Sequence, residues 1–321
     1  MLFCLVPNIN KSERYGKFGE LPAWSLWMFK LLLALVYFYA GLAKINTSWL
    51  FEALPLKIWL PAQDKLPIIG ALLAHKWTPY FFSWAGMIYD CSIVFFLAQK
   101  RTRILAYLAV IFFHVITGLM FQIGVFPSVM IGATLIFFSN EWHQNALQFL
   151  RPVLGRFVAE YKSIKQELAL QSHRLTLGFL MVFFVFQIVF PWRYLLYPGN
   201  LFWTEEGYRF SWRVMLMEKA GTAQFYIKDS KTGREGMVEN REFLNPHQEK
   251  QMAMQPDMIL QFAHYLGQYY SRKGIESPAV RAEVYVTLNG KPSQLLIDDQ
   301  VDLMKLDDTF AAKKWIKPYE E

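Results

Sequence analysis

The chain has 321 residues, of which 54% are hydrophobic, 17% are aromatic and 18% are charged. The charged fraction is well below the roughly 25% of soluble domains, which excludes a fold that is solvated by water throughout. The net charge is +7, but basic residues gather beside apolar runs, as at 100–103, which indicates membrane flanks and not a nucleic-acid surface. The two cysteines, Cys4 and Cys91, allow neither a disulfide framework nor a cysteine metal site.

Five apolar runs in the first two-thirds of the chain are each near the length that crosses a hydrocarbon core of roughly 30 Å. They cover residues 24–42, 80–98, 104–120, 123–138 and 175–190. Three of them carry an ionisable group: Lys30 in the first, Asp90 in the second and His114 in the third. The fourth is short and broken near Gly124 and Pro127. This pattern predicts a membrane α-helical bundle of about five transmembrane helices.

The basic loops predict the face of the membrane on which each connection lies, because short cytoplasmic loops carry an excess of Lys and Arg. The basic residues of the connections assigned to the cytoplasm are Lys11, Arg14 and Lys17, those at 100–103, and Arg151, Arg156, Lys162 and Lys165. Five crossings then place the C-terminal domain on the outer face. Residues 44–77 also lie outside, and their stretch KLPIIGALLAHKW has the composition of an interfacial or re-entrant helix.

Residues 199–321 have the composition of a soluble α+β domain that follows a membrane domain of residues 1–198. Strands are predicted at 222–228 and 234–239, joined by a turn cluster at 229–233. A helical pattern opens at Asn245-Pro246 and continues to about Ser271. A further strand at 280–288 leads through Asn289-Gly290, a strong hairpin signal, into a returning strand at 294–297.

Lys44 ends the first apolar run and shares a helix face with Tyr37 and Gly41. Gly41 allows a neighbour or a ligand to approach closely. In a dry pocket a lysine loses its proton more readily, because desolvation disfavours the ammonium, and it can then serve as a general base. The alternative is a lysine that only snorkels at a helix end, and spacing alone favours this second interpretation.

His114 and Asp90 are further candidates, because a charge in lipid costs several kcal/mol unless something compensates it. His114 either shuttles protons or binds a ligand, or it is hydrogen-bonded between helices. Asp90 either pairs with Lys44 or His114 or makes a structural hydrogen bond between helices, and the structural role is favoured. The helix break from Gly124 to Pro127 either lines a pocket or is a plain kink.

The stretch from Trp203 to Trp212 is dense in aromatic residues beside charges and follows the last apolar run. It either grips an extended peptide or forms an aromatic belt at the membrane interface, and composition favours the belt. The chain has no nucleotide-binding, serine-hydrolase or zinc-protease motif. Its other histidines lack metal-ligand spacing, so no metal is predicted.

Four blocks of sequence resemble the vitamin K-dependent gamma-carboxylase family, whose membrane part is the horizontally transferred transmembrane (HTTM) domain. The blocks are VYFYAGLAKINTSWL, YDCSIVFFL, FFHVITGLMFQIGVFPSVM and EEGYRFSWRVMLM. They occur in the family's order, and the resemblance runs from about residue 20 to the C-terminus. It also includes KDSKTGREG, QPDMILQFAHYL and RAEVYVTLNG.

The resemblance implies a membrane enzyme that oxidises vitamin K hydroquinone with O2 to the epoxide. The basic oxygenated intermediate removes a γ-proton from a peptide glutamate, and the carbanion adds CO2. The resemblance makes Lys44 the catalytic lysine, which deprotonates the hydroquinone. The residues expected in the quinone pocket are Tyr37, Gly41, Asp90 and His114. The residues expected to bind the glutamate-containing polypeptide are Tyr208, Phe210, Ser211 and Trp212.

Two departures from the family pattern set further expectations. Family members carry more membrane helices before the block that matches Trp24, so the membrane domain is expected to be incomplete at its N-terminus. The chain ends at WIKPYEE, as compact bacterial-type members do, which predicts a protein of the bacterial inner membrane. Two alternatives to carboxylation stay open. A membrane quinol oxygenase would need Lys44 but not residues 208–212, and a non-catalytic protein that binds a peptide or lipid would tolerate loss of Lys44.

Overall fold

The computed structural model describes residues 23–67, 69–121, 123–154 and 173–320. The predicted cytoplasmic basic residues before residue 23 and those between 155 and 172 lie outside the described residues, as does Cys4. The chain forms two compact units. The described residues of the first are 23–42 and those between Ala85 and Val189, and the second contains Ala43–Trp84 and the chain from Phe190 onward.

The described residues of both units include helices, and the strands lie in the second unit. The helices are α1 (Ala23–Ala43), α2 (Thr47–Leu50), α3 (Leu56–Trp59), α4 (Gly70–Leu73), α5 (Thr78–Ala98), α6 (Arg103–Met120), α7 (Phe126–Thr134), α8 (Asn140–Leu154), α9 (His173–Val189), α10 (Leu201–Thr204), α11 (Pro246–Met252) and α12 (Pro256–Arg272). The strands are β1 (Lys219–Lys228), β2 (Glu235–Met237), β3 (Ala279–Leu288) and β4 (Gln294–Leu295).

Four stretches of the described chain are long and apolar enough to cross a membrane, which confirms four of the five predicted spans. They are Ser25–Ala43, Thr78–Ala98, Arg103–Met120 and Leu175–Leu196. The span predicted over 123–138 is shorter than expected, because its apolar helix covers only Phe126–Phe137. Phe121 is extended and Gly124 has a φ of +62°, a left-handed conformation that glycine adopts readily, so no helix continues through these positions.

The core of the first unit lies where α1, α5, α6 and α7 with its following turn meet. Its buried residues are Leu33, Tyr37, Ile93, Leu97, Ala106, Val110, Met130 and Phe137. Gly41 permits close packing of α1 on α5, because a β-carbon at this position would lie only 2.6 Å from the Cys91 sulfur. Many large apolar side chains on the same helices stay exposed, among them Phe95 and Leu105, as lipid-facing positions require.

The second unit contains an antiparallel sheet with strand order β2-β1-β3-β4. Strands β1 and β3 pair from Lys219 opposite Leu288 to Lys228 opposite Ala279. Alternate residues of β3 are buried against α12, as the period of two along a strand requires. Asn289 and Gly290 both have positive φ and close the β3–β4 hairpin, which confirms the predicted turn.

The helix predicted from residue 246 to 271 is divided into α11 and α12. Pro256 begins α12, and the preceding Gln255 is extended. Proline lacks the backbone N–H of a helix interior and disfavours helical geometry in the residue before it. The prediction of one long helix was therefore wrong at this point.

Residues 43–84 pack with the C-terminal residues in the second unit. The indole nitrogen of Trp59 donates a 2.6 Å hydrogen bond to the Glu218 carboxylate. Ile58 lies against Gly290, where a β-carbon would be 3.3 Å from its side chain. The connection between the first two spans is thus a folded part of this unit and contains the short helices α2, α3 and α4.

Candidate functional site

Lys44 follows directly on the last residue of α1 and lies in a tightly bonded corner. The Asn46 side chain donates to the Ala43 carbonyl at 2.9 Å, which caps α1, and accepts from the Trp49 N–H at 2.9 Å, which caps α2. The Lys44 amine lies 5.6 Å from the centroid of the Trp49 ring. Trp49 is itself fixed, because its indole nitrogen donates to the Ser83 carbonyl at 2.9 Å. The Lys44 amine therefore lies over one face of an aromatic ring whose own position is fixed by a hydrogen bond.

Tyr37 and His114 form a buried polar pair inside the first unit. The Tyr37 oxygen lies 3.1 Å from His114 Nε2, and the two side chains are 2% and 3% exposed. The pair joins α1 to α6, so the structure brings two of the predicted pocket residues together. Lys44 belongs to the second unit, whereas Tyr37 and Gly41 belong to the first, and their shared role stays a prediction.

Tyr89 is a member of this cluster that the sequence interpretation missed. Its ring stacks on Phe113 with centroids 4.2 Å apart and meets the Tyr37 ring edge-on at 6.0 Å. It immediately precedes Asp90, which is buried, and a tyrosine next to an aspartate in an apolar run was the available signal. Gly41 lies against the same turn of α5, since its added β-carbon would be 3.2 Å from the Asp90 carbonyl carbon.

Two polar atoms of the cluster have no hydrogen-bond partner among the residues that the structure describes. They are the Tyr89 hydroxyl and the Nδ1 atom of His114. An unpaired buried polar group costs free energy at membrane depth, because no water is present to bond it. These two atoms therefore have hydrogen-bonding capacity that the described residues do not use.

The aromatic segment Tyr208–Trp212 is held in an uncommon backbone conformation in the second unit. Phe210 and Trp212 have φ values of 55° and 58°, which bulky side chains rarely adopt. Ser211 between them is buried and donates a hydrogen bond to the Tyr208 carbonyl. In this conformation Phe210 is exposed to solvent over 77% of its surface.

Three contacts anchor the residues that lead into this segment. Glu205 accepts a 2.7 Å hydrogen bond from the buried Lys219 amine, and Glu206 accepts one of the same length from the Lys313 backbone N–H. Gly207 lies against Tyr194, because an added β-carbon would be 2.6 Å from the Tyr194 Cα. Strain of this kind persists only where the surrounding structure imposes it, and these anchors supply that constraint.

Burial shifts the pKa of Tyr208 in the aromatic segment and the pKa of Lys219, which binds Glu205. Burial raises the pKa of Tyr208 to about 12, the charge of Glu205 adds to this, and Arg213 opposes it. Tyr208 is therefore a neutral hydrogen-bond donor at physiological pH. Burial lowers the pKa of Lys219, and the nearby Glu205 carboxylate opposes that shift.

The described residues contain no group of three or more His, Cys, Asp or Glu side chains placed to hold a metal ion.

Comparison with known protein families covers both parts of the chain. A family model described as the HTTM domain matches residues 10–142 and therefore includes Tyr37, Lys44, Asp90 and His114. A second model, described as the lumenal domain of vitamin K-dependent gamma-carboxylase, matches residues 172–321 and includes the Tyr208–Trp212 segment. No solved structure matches the chain. With both models matching in the order that the sequence blocks predicted, the chain belongs to the vitamin K-dependent gamma-carboxylase family.

Proposed function

We propose that the protein is a vitamin K-dependent gamma-glutamyl carboxylase of the membrane. The observation that carries this proposal is that one chain matches both the HTTM domain and the lumenal carboxylase domain. A quinone enters from lipid and a polypeptide glutamate from water, so the reaction needs a membrane part and a soluble part in one enzyme. The chain has helices that can span a membrane and a unit with an antiparallel sheet.

In the proposed reaction, vitamin K hydroquinone, O2 and CO2 are substrates together with a peptide glutamate. Oxygenation of the deprotonated quinol gives a strong base and ends in the quinone epoxide and water. The base takes the γ-proton of the glutamate, whose C–H electron pair stays on carbon and forms the bond to CO2. The quinol is thereby oxidised, O2 is reduced, and γ-carboxyglutamate is the second product.

Lys44 is the proposed base that removes the first proton from the hydroquinone hydroxyl. Its support is its position in the family block, at a helix end that the two Asn46 hydrogen bonds cap. A general base must be held within hydrogen-bond reach of the proton it removes. A capped helix end limits the positions that the amine can reach.

Tyr37, Tyr89, Asp90 and His114 are the proposed polar contacts of the quinol. The unpaired His114 Nδ1 and Tyr89 hydroxyl supply unused hydrogen-bonding capacity for its oxygens. The aromatic rings of the same cluster offer flat apolar surfaces for its ring system. On the glutamate side, Tyr208, Phe210, Ser211 and Trp212 are proposed to hold the peptide, in keeping with the strained display of Phe210.

The soluble unit is proposed to lie on the outer face of a bacterial inner membrane. Residues 43–84 and the C-terminal residues pack in one unit, which supports placing both on one face of the membrane with an even number of crossings between them. The helices α5, α6 and α9 account for three crossings, and the short apolar stretch Phe126–Phe137 is the proposed fourth. The basic loop at 100–103 then falls in the cytoplasm.

The proposal is tested by incubating the full chain in nanodiscs with vitamin K hydroquinone, O2, labelled bicarbonate and a glutamate peptide. Wild type should form both epoxide and labelled peptide, and Lys44→Ala should form neither. Lys57→Ala is the matched control, because Lys57 also lies over an aromatic ring, 4.5 Å from the centroid of Tyr80, in the same connection. Epoxide without label would identify a quinol oxygenase instead. Full activity in Lys44→Ala would refute the assigned base.

A further inference from the structure

Arg213 directly follows the aromatic segment and is a partly buried cation without an acidic partner. Among the described residues no carboxylate lies within ion-pair distance of its guanidinium. Its Nε atom is buried and has no hydrogen-bond partner there. The guanidinium lies over the Tyr194 ring, 4.4 Å from the ring centroid.

Several charged groups near Arg213 in the chain already have partners among the described residues. Glu205 is paired with Lys219 at 2.7 Å, and Arg209 is paired with Asp257 at 2.6 Å. Glu206 accepts from the Lys313 backbone. Burial lowers the pKa of Arg213, and Tyr194 opposes that shift through its charge and a hydrogen bond. An anion at the guanidinium would stabilise this partly desolvated charge further.

A carboxylate is the anion whose shape best matches a guanidinium. A guanidinium presents N–H donors in a planar fork that matches the two oxygens of a carboxylate. Tyr194 lies against its flat face, and its buried Nε has an unused N–H donor among the described residues. Arg213 directly follows Trp212 in the chain, which places it beside the segment proposed to hold the peptide.

We propose that Arg213 forms a salt bridge with the side-chain carboxylate of the substrate glutamate. This inference rests on the proposed carboxylase function and adds a residue to its peptide site. Removing a γ-proton next to a carboxylate generates a second negative charge, which delocalises onto the carboxylate oxygens. A fixed cation at those oxygens is most effective in the transition state, where the charge develops. Arg213 would thus contribute both to binding and to proton removal.

A binding experiment tests the inference without requiring turnover. The full chain in nanodiscs of zwitterionic lipid is titrated with a fluorescent glutamate peptide and with the same peptide carrying glutamine. Wild type should bind the glutamate peptide about ten- to hundredfold more tightly, as expected for hydrogen bonds to a charged group. Arg213→Gln should bind the two peptides equally, and Arg213→Lys should keep part of the preference.

The control is Arg241→Gln, which removes one positive charge from an exposed side chain of the same unit and should leave the preference unchanged. Equal binding of the two peptides by wild type would overturn the inference, as would an unchanged preference in Arg213→Gln. Loss of binding only on moving to anionic lipid would also overturn it, since Arg213 would then hold a lipid headgroup. The carboxylase function itself is tested separately, by measuring the quinone epoxide and the labelled peptide that the wild-type chain forms.

Discussion

Replacing Lys219 with methionine removes the cation that holds the start of the aromatic segment on the sheet. The Lys219 amine donates to Glu205 at 2.7 Å, to the Trp203 carbonyl at 2.9 Å and to the Met254 carbonyl at 3.3 Å. The paired side chains are 4% and 12% exposed. Methionine fills a similar volume but leaves a buried carboxylate and two carbonyl oxygens without their donor.

The expected loss of stability follows from the burial of the Lys219–Glu205 ion pair. Breaking a buried ion pair by removing one partner costs about 3–5 kcal/mol. In a folded unit of this size each kcal/mol lowers Tm by about 2–4 °C, so Tm of the soluble unit should fall by about 6–20 °C. The peptide KM should rise because the segment loses its anchor, whereas quinol epoxidation should persist at temperatures below the transition.

The assay is thermal unfolding of the full chain in detergent, followed by tryptophan fluorescence, with peptide carboxylation measured in parallel. Lys228→Met is the matched control, because Lys228 ends the same strand on the exposed side and should change stability by less than about 0.5 kcal/mol. The double variant Lys219→Met with Glu205→Met should recover most of the loss, since no uncompensated charge remains. A double variant less stable than the single one would refute this reasoning.

Three further predictions concern the membrane cluster and the segment. Tyr37→Phe should destabilise the bundle by about 0.6–1.7 kcal/mol, because it loses the hydrogen bond to His114, and it should raise the quinol KM. Thermal unfolding measures the first effect and epoxide kinetics the second, and an unchanged KM would contradict the prediction. Gly41→Val should cost more than about 1–3 kcal/mol because its side chain meets Cys91, whereas a stable variant would show that α1 and α5 separate easily. The free energy of unfolding should fall between pH 10 and 12, because the pKa of Tyr208 is raised from 10.0 to about 12 in the folded state. Thermal melts of Tyr208→Phe across this range should show a decrease that is smaller by about 2–3 kcal/mol.

The membrane architecture was largely predictable because span length and apolar composition act locally. Four runs met the length of a bilayer core and are confirmed as apolar helices. The run at 123–138 failed because Gly124 adopts a positive φ, and the actual helix begins at Phe126. Composition alone does not reveal how many residues near a glycine leave the helix.

In the second unit, too, local features could be predicted from the sequence, whereas contacts between distant segments could not. Alternating residues and Asn289-Gly290 predicted the β3–β4 hairpin correctly. The break before Pro256 was missed although proline marks it, because the amphipathic pattern continues on both sides. The carbonyl of Met254 in this break accepts from Lys219, a contact between distant segments that sequence spacing does not reveal.

The geometry around the predicted site residues could not be predicted from the sequence. Family blocks identified Tyr37 and His114, yet their 3.1 Å contact joins residues 77 positions apart and depends on helix packing. Tyr89 was missed because one more tyrosine in an aromatic run is not distinctive. The positive φ values of Phe210 and Trp212 were also unpredictable, since bulky residues normally avoid that conformation.

The most direct test of the central claim is the mass of the glutamate peptide after incubation of the wild-type chain with vitamin K hydroquinone, O2 and CO2. If oxygenation drives carboxylation in this protein, the peptide gains one carboxyl group only when all three substrates are present, and its yield follows the epoxide formed. Epoxide accumulating at full rate while the peptide mass stays unchanged would contradict the claim.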